Sequence, residues 1–236
     1  MTTSSRKLPR KLKIENRKLK TIGITGGIGS GKSYVSDILR RVFDIPVYDC
    51  DKEAKRLAAT DPEIRRKLIQ LVGTEVFNGQ ELVKPVLADF LFASPENGRK
   101  VNAIIHPAVL RDFERWAGPP PSNSLLRGRT KSGDGIVKPP LTGRFGEVCL
   151  ESAILYESGF DKHVNYIIFV DAPEEVRLQR AMQRDGATEA QIRARMKMQH
   201  PDEHRAKADF VIDNSATTEK EIIEQMKQTG LIPVCP

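Results

Sequence analysis

The sequence predicts an α/β fold, a doubly wound parallel sheet of five strands with helices on both faces. Short apolar segments rich in β-branched residues alternate along the chain with longer segments that show helical spacing of apolar residues. The first two predicted strands are joined by one long predicted helix, which is the pattern of a βαβ unit with parallel strands and a right-handed crossover. A chain of 236 residues can hold one such domain with additions.

The first βαβ unit is predicted in residues 21–48. Residues 21–25 (TIGIT) predict a buried strand, residues 32–42 a helix, and residues 45–48 (IPVY) a second strand. The helix has an apolar side formed by Val35, Ile38, Leu39 and Val42. Because a Gly-rich turn separates the first strand from the helix, the unit presents that turn at one edge of the sheet.

Residues 52–117 predict helices throughout. Asp61 is a good N-cap and precedes Pro62, a residue that favours the first helical position. Further helices are predicted at 84–93 and 96–117. About 65 helical residues exceed a simple crossover between strands, so we expect an inserted subdomain that binds a second substrate.

Residues 118–146 contain many prolines and glycines and few apolar residues, which predicts a mobile surface loop. Regular structure is predicted to resume after this loop. Strands are expected at 148–150, 166–170 and 209–212, and helices at 174–184, 189–199 and 218–228. The whole of residues 21–236 is therefore expected to form a single domain.

The net charge of +7 lies in a terminal tail. Residues 1–20 carry eight basic residues and one acidic residue, whereas basic and acidic residues are equal in number in the rest of the chain. We expect a flexible solvated arm rather than a contact with RNA or anionic lipid. The three isolated cysteines fit a reducing cytoplasm, and no apolar run reaches the length of a membrane span.

The turn at residues 26–33 (GGIGSGKS) fits the phosphate-binding pattern GxxxxGK[ST], with a predicted strand before it and a predicted helix after it. Glycines let the backbone wrap around a phosphate with its N–H groups inward, and the helix N-terminus adds a positive dipole end. Lys32 is expected to reach the β- and γ-phosphates of ATP, and the Ser33 hydroxyl to bind Mg²⁺. The expected ATP contacts are Gly26, Gly27, Ile28, Gly29, Ser30, Gly31, Lys32, Ser33 and Tyr34.

Acidic residues follow two of the predicted strands. Asp49 and Asp51 come after the second strand, at the edge where open α/β sheets bind ligands. A carboxylate there could orient an attacking hydroxyl and accept its proton, or Asp51 could cap the next helix; spacing leaves both readings open. Glu151, after the strand at 148–150, could hold Mg²⁺ through water, and a surface or capping role is equally open for it.

Arginines at helical spacing follow the fourth strand. Arg180 and Arg184 share one helical face, and Arg177 precedes them by one turn. More basic residues follow on the next predicted helix. Since phosphoryl transfer spreads negative charge over the γ-phosphate, residues 174–200 are expected to form a lid whose Arg180 and Arg184 neutralise that charge. A solvated charged face is the alternative for any single arginine.

Several segments together resemble one family, the dephospho-CoA kinases. They occur in the family's order and cover most of residues 21–214. The matching segments are TGGIGSGKS at 25–33, DCD at 49–51, VNAIIHP at 101–107, VCLESAILYESG at 148–159, RLQRAMQRDGAT at 177–188 and ADFVIDN at 208–214. The chain departs from the family at Tyr34, at Ser152-Ala153, and in the length of 118–146.

The resemblance implies a P-loop kinase that transfers phosphate from ATP to the ribose 3′-hydroxyl of dephospho-CoA, the last step of coenzyme A synthesis. It implies that Asp51 is the base, that Lys32 and Ser33 contact the γ-phosphate and Mg²⁺, and that Arg180 and Arg184 are lid arginines. Asn214 would lie near the adenine. The expected partners are ATP and dephospho-CoA, with no specific nucleic acid and no membrane, and both a monomer and a weak homo-oligomer stay open.

Two alternatives remain at the level of sequence. One is another kinase of the same fold, acting on a nucleoside monophosphate or a small alcohol. The other is a nucleotide-binding regulatory or RNA-associated protein, which would bind nucleotide without transferring phosphate.

Overall fold

The computed structural model describes residues 20–118, 146–216 and 218–231. The basic tail, apart from Lys20, and the predicted loop, apart from Gly118 and Gly146, lie outside the described residues. Predictions made for those two segments therefore stay predictions.

A five-stranded parallel sheet forms the centre of the molecule, as the sequence predicts. Its strands are β1 (Lys20–Thr25), β2 (Val47–Asp49), β5 (Glu147–Glu151), β6 (Tyr166–Asp171) and β7 (Phe210–Asp213). Their order across the sheet is β2-β5-β1-β6-β7, and every neighbouring pair is parallel. The sheet is doubly wound, because β1 is its middle strand, with β2 and β5 on one side and β6 and β7 on the other.

The carboxyl ends of three strands are in register at one edge of the sheet. Glu151 of β5 lies opposite Ile24 of β1 on one side and opposite Asp49 of β2 on the other. The turn that follows β1 and the acidic residues that follow β2 are therefore brought to the same edge.

Helices cover both faces of the sheet. The helices are α1 (Lys32–Phe43), α2 (Cys50–Thr60), α3 (Pro62–Val72), α4 (Lys84–Ala93), α5 (Pro95–Ala117), α6 (Glu174–Asp185), α7 (Glu189–Met196), α8 (Pro201–Lys207) and α9 (Glu219–Gln228). Within the described ranges, none of these helices is long and apolar enough to span a membrane.

The two faces of the sheet belong to separate apolar clusters. On one face, Ile22 and Ile168 pack with Ile38 of α1 and Ile222 of α9. On the other face, Val148, Leu150 and Ile167 pack with apolar residues from α2, α3, α4 and α5. The alternate residues of each strand point to opposite faces, so helices on both sides are needed to bury them. The helical segment thus shares its core with the sheet.

The prediction that residues 52–117 are helical throughout is wrong at its middle. A 3₁₀ turn at Thr74–Val76 and a hairpin of β3 (Phe77–Asn78) and β4 (Glu81–Leu82) separate α3 from α4. The helix α3 stops at Gly73, whose φ of +124° is a conformation that other residues rarely adopt. Two-residue strands are too short to show a period, which explains why the pattern missed them.

The prediction of one helix over 189–199 is also wrong in part. The helix α7 ends at Met196, and a new helix, α8, begins at Pro201. Proline fits the first turn of a helix, so α8 starts at Pro201, after a turn that follows α7. The short α8 then leads into β7.

The predicted cap at Asp61 is confirmed. Its side chain accepts hydrogen bonds from the backbone N–H groups of Glu63 (2.8 Å) and Ile64 (3.0 Å) at the start of α3. Changing Asp61→Ala leaves both N–H groups without this partner, and we expect the free energy of unfolding to fall by about 1 kcal/mol. Chemical denaturation would measure the loss. Asp89→Ala, at an exposed position inside α4, is the control and should not destabilise the protein, because alanine is a good helix former.

Candidate active site

The turn between β1 and α1 has the backbone of a phosphate-binding loop. Gly29 and Gly31 have φ angles of +76° and +89°, which side chains with a Cβ rarely adopt. A Cβ on Gly29 would collide with the carbonyl oxygen of Arg177, and one on Gly31 with the side-chain nitrogen of Asn214. Both glycines are therefore required by conformation and by space. The loop ends at the N-terminus of α1, where free N–H groups favour an anion.

The Lys32 ammonium lies over this loop. Its Nζ donates to the carbonyl oxygens of Gly26 (3.0 Å) and Gly27 (3.3 Å). Burial lowers the pKa of Lys32, and the carboxylates of Glu151 and Asp51 partly oppose that shift. The structure thus places a cation above the loop with two carboxylates close enough to act on its charge.

Ser33 and Glu151 meet where α1 and β5 come together. The Ser33 hydroxyl donates to Glu151 Oε1 at 2.8 Å, and Glu151 is buried at the carboxyl end of its strand. A surface role for Glu151 is therefore excluded. A hydroxyl beside a buried carboxylate is a pair of hard oxygen donors that fits Mg²⁺. In the described part of the chain no three His, Cys, Asp or Glu side chains cluster as a metal site, so phosphate and water would have to supply the remaining ligands.

The two aspartates after β2 have different roles. Asp49 is the N-cap of α2, and its Oδ1 accepts a hydrogen bond from Lys52 N at 2.9 Å. Asp51 lies inside the first turn of the helix, so the alternative that Asp51 is the cap is wrong. Among the described residues, no hydrogen bond engages the Asp51 carboxylate. This leaves Asp51 as an acceptor that can face a ligand.

The charge of Asp51 is tuned by its surroundings. Desolvation raises the pKa of Asp51 above its usual value, and the Lys32 ammonium opposes that rise. The neighbouring Asp49 raises the pKa further, and Lys55 lowers it. An aspartate with a raised pKa is a stronger base than an ordinary surface aspartate, which is the property that a proton acceptor needs.

Asn214 contacts the phosphate loop, and Arg180 holds the backbone around Asn214. Arg180 donates to the backbone carbonyls of Asn214 (2.8 Å) and Ser215 (2.9 Å), just beyond β7. Asn214 is 5% exposed, and its side chain donates to Ser30 O at 2.8 Å. Both side chains therefore hold protein backbone in this structure. Their predicted contacts with ATP stay predictions.

Arg184 is the more open of the two predicted lid arginines. Its side chain is 62% exposed and donates to Asp185 at 2.7 Å, and Asp185 also accepts from Arg195 at 2.7 Å. The two guanidinium groups hold the pKa of Asp185 well below its usual value. Arg184 also lowers the pKa of Lys32 through charge repulsion, which places its charge toward the phosphate loop.

Arg177 contacts the phosphate loop, a role that the sequence did not predict for this residue. It is only 8% exposed, its Nε donates to Ala172 O at 3.0 Å, and its guanidinium lies against Gly27. A signal was available, because Arg177 precedes the buried Ala181 by four residues and so lies on the same buried face of α6.

Tyr34 lies on the outer side of α1. It is 41% exposed, and its hydroxyl donates to Glu219 of α9 at 3.5 Å. This contact turns the side chain toward α9, so any contact of Tyr34 with ATP would have to come from its backbone.

Comparison with known proteins gives a consistent result. A family model described as dephospho-CoA kinase matches residues 20–118 and 144–220. The chain is 43% identical over 206 residues to a dephospho-CoA kinase of Bacteroides fragilis, covering 87% of this chain and 88% of that protein. It is 33% identical over 214 residues to a dephospho-CoA kinase of Geobacillus kaustophilus, covering 88% and 96% of the two chains.

Solved structures show the same fold. The protein TT1252 from Thermus thermophilus superposes with a TM-score of 0.68 at 30% identity and covers 91% of this chain and 97% of its own. A dephospho-CoA kinase from Campylobacter jejuni has a TM-score of 0.57 at 19% identity, covering 89% and 95% of the two chains. At that identity the second likeness speaks for the fold alone.

Proposed function

The chain belongs to the dephospho-CoA kinase family, and from this premise we propose that it phosphorylates the ribose 3′-hydroxyl of dephospho-CoA with ATP. The products are coenzyme A and ADP. One observation carries the proposal. The phosphate loop, Lys32 and the Asp51 carboxylate, which does not cap α2, lie together at one edge of the sheet. Phosphoryl transfer needs a phosphate cradle, a cation and a base in one place.

Asp51 is the proposed base. The 3′-oxygen of dephospho-CoA attacks the γ-phosphorus of ATP, its proton passes to the Asp51 carboxylate, and the bond from the γ-phosphorus to the bridging oxygen of ADP breaks. The raised pKa of Asp51 suits a proton acceptor. Asp49 leaves this role to Asp51, because its own carboxylate holds the start of α2.

Positive charge around the γ-phosphate is the second part of the proposal. Lys32 and the N–H groups of the phosphate loop stabilise the charge that spreads over the γ-oxygens. Arg184 is the lid arginine best able to join them, because it is exposed and its partner is an aspartate on the same helix. Arg180 would have to release two backbone carbonyls to do the same.

A magnesium ion is the proposed companion of ATP. The Ser33 hydroxyl and the buried Glu151 carboxylate, 2.8 Å apart, are the residues that would hold it, Glu151 through water. When bound, the ion neutralises charge on the β- and γ-phosphates. The protein's own contribution is the fixed position of these two oxygens, one at the start of α1 and the other at the end of β5.

The acceptor is proposed to bind between the sheet edge and the helical segment 52–117. Asp51 lies in the first turn of α2 and directly precedes that segment, so a hydroxyl beside Asp51 would have the rest of its molecule beside the same helices. Residues 174–200 are proposed to close over the phosphates as a lid. We place the protein in the cytoplasm, where its isolated cysteines would stay reduced.

A coupled assay of ADP release tests the proposal and separates it from other kinases of this fold. Dephospho-CoA should support rapid ADP release, whereas AMP, CMP and shikimate should not. Faster turnover with one of the other acceptors would replace the proposed substrate. ATP binding with no turnover on any acceptor would instead support a regulatory nucleotide-binding protein.

A further inference from the structure

The tip of the phosphate loop contacts a residue that the proposed reaction does not use. The backbone N–H of Ile28 donates to Gln199 Oε1 at 2.8 Å. Gln199 lies between α7 and α8 and is half-buried. The two residues are far apart in the chain, so the bond joins the loop to the region beyond α7.

The side chain of Ile28 contacts the two helices that precede Gln199. The helices α6 and α7 share a small apolar core of their own, separate from the two cores on the sheet, and Ile28 packs against it. The core consists of Leu178, Ala181, Ile192 and Met196. One residue of the loop tip thus serves both as a hydrogen-bond donor and as a packing partner for the unit formed by residues 174–199, which we name the α6–α7 unit.

The residues on either side of Ile28 also touch the α6–α7 unit. The carbonyl oxygen of Arg177 lies where a Cβ of Gly29 would stand, and the Arg177 guanidinium lies where a Cβ of Gly27 would stand. Three consecutive loop residues therefore rest on this unit. Since packed contacts of this kind transmit displacement, the shape of the loop depends on where the unit sits.

We propose that Gln199 is a positioning residue of the ATP site. Its side-chain oxygen holds the Ile28 N–H group toward Gln199 and away from the phosphates. This orients the following peptide planes of the loop so that their own N–H groups face the phosphates. Any movement of the α6–α7 unit is passed to the loop through Gln199 and Ile28. The inference rests on the proposed function only in that the loop binds ATP, and it does not depend on the acceptor.

The Gln199→Met variant is the first test. Methionine keeps the length of the side chain and removes the acceptor, so Ile28 N–H loses its partner. We expect ATP affinity, measured by titration calorimetry without acceptor, to fall by about threefold to tenfold, the worth of one hydrogen bond. The KM for ATP should rise with it, while the KM for dephospho-CoA stays unchanged. Gln228→Met, at an exposed glutamine that ends α9, is the matched control and should bind ATP like the parent protein.

The Gln199→Glu variant is the second test, and its measured quantity is the pH dependence of ATP affinity. A purely structural role of Gln199 would not change that dependence. A glutamate carboxylate adds negative charge near the phosphates, so ATP affinity should fall further than in Gln199→Met at pH 7. Once protonated, near pH 4 to 5, glutamate again resembles glutamine in shape and accepting carbonyl. The affinity relative to the parent protein at the same pH should therefore recover as the pH is lowered.

Three results would overturn the inference. Unchanged ATP affinity in Gln199→Met would show that the bond does not orient the loop. Tighter binding would show that the Gln199 oxygen competes with ATP for the N–H group. An equal rise of both KM values, with a relative affinity of Gln199→Glu that does not vary with pH, would mark a general loss of structure. Because ATP binding is measured alone, a failure of dephospho-CoA as substrate would leave this test intact.

Discussion

Changing Asp51→Asn is expected to lower kcat by about 100-fold or more while ATP still binds with near-normal affinity. Asparagine keeps the shape of the side chain and cannot take a proton from the attacking hydroxyl. No described hydrogen bond depends on the Asp51 carboxylate, so the change removes chemistry without removing a structural contact. Steady-state kinetics with dephospho-CoA and a separate ATP titration measure the two quantities.

Asp49→Asn is the matched control for this experiment. It removes a carboxylate only two residues away, but asparagine caps a helix as well as aspartate does, so the bond to Lys52 N and the start of α2 persist. We expect its kcat to stay within about threefold of the parent value, since the cap of α2 is kept. Near-normal turnover of Asp51→Asn, or an equal loss in both variants, would show that Asp51 is not the base.

The pH dependence of the reaction gives an independent check. A base acts only when it is deprotonated, so kcat/KM should fall as the pH is lowered through the pKa of Asp51. Since desolvation raises that pKa, the fall should begin at a higher pH than it would for an ordinary aspartate. The residual kcat/KM of Asp51→Asn should not show this fall at low pH.

The stability of Asp51→Asn should follow from the same shift. A carboxyl pKa that is higher in the folded than in the unfolded protein means that the charged form costs stability once the pH rises above the unfolded value. Asparagine carries no such charge. The variant should therefore unfold at the same temperature as the parent at neutral pH or at a higher one, which separates loss of catalysis from loss of fold.

The sheet and the phosphate loop are predictable because their signals are local. The segment from Thr21 to Ser33 contains a β-branched strand, a glycine turn and a helix start in sequence, and each step restricts the next. The cap at Asp61 is equally local. The hairpin at residues 77–82 is not predictable in this way, because two-residue strands carry no period and depend on packing against the neighbouring helices.

The different surroundings of the arginines of α6 are determined by tertiary packing. Arg177 and Arg184 lie nearly two helical turns apart on one helix, yet one is buried against the phosphate loop and the other is largely exposed. Helical spacing predicts which residues share a face of the helix, but it does not predict which part of the protein that face packs against. The contact of Gln199 with Ile28 joins residues 171 positions apart, so no local pattern could have predicted it.

Changing Lys32→Ala is expected to weaken both ATP binding and turnover, with kcat lower by about 100- to 1,000-fold, the range for loss of one charged or polar group that stabilises a transition state. The ammonium is held over the loop by two backbone carbonyls, beside the position that we propose for the β- and γ-phosphates. ATP titration and steady-state kinetics measure the two effects. Unchanged affinity and rate would contradict the assignment of the loop to ATP.

Two further variants test whether the effect of Lys32→Ala is specific to the ammonium group at this position. Lys32→Arg keeps the positive charge but replaces a compact ammonium by a larger, planar guanidinium. Because the Arg177 guanidinium already lies against Gly27, a second one should not fit over the loop, and activity should not return. Lys220→Ala removes an exposed lysine of α9 and should change neither quantity. Taken with Asp51→Asn, the set divides the site in two. Loss of Lys32 should impair ATP binding whatever the acceptor is, whereas loss of Asp51 should spare ATP binding and stop transfer, because only the acceptor hydroxyl needs a base.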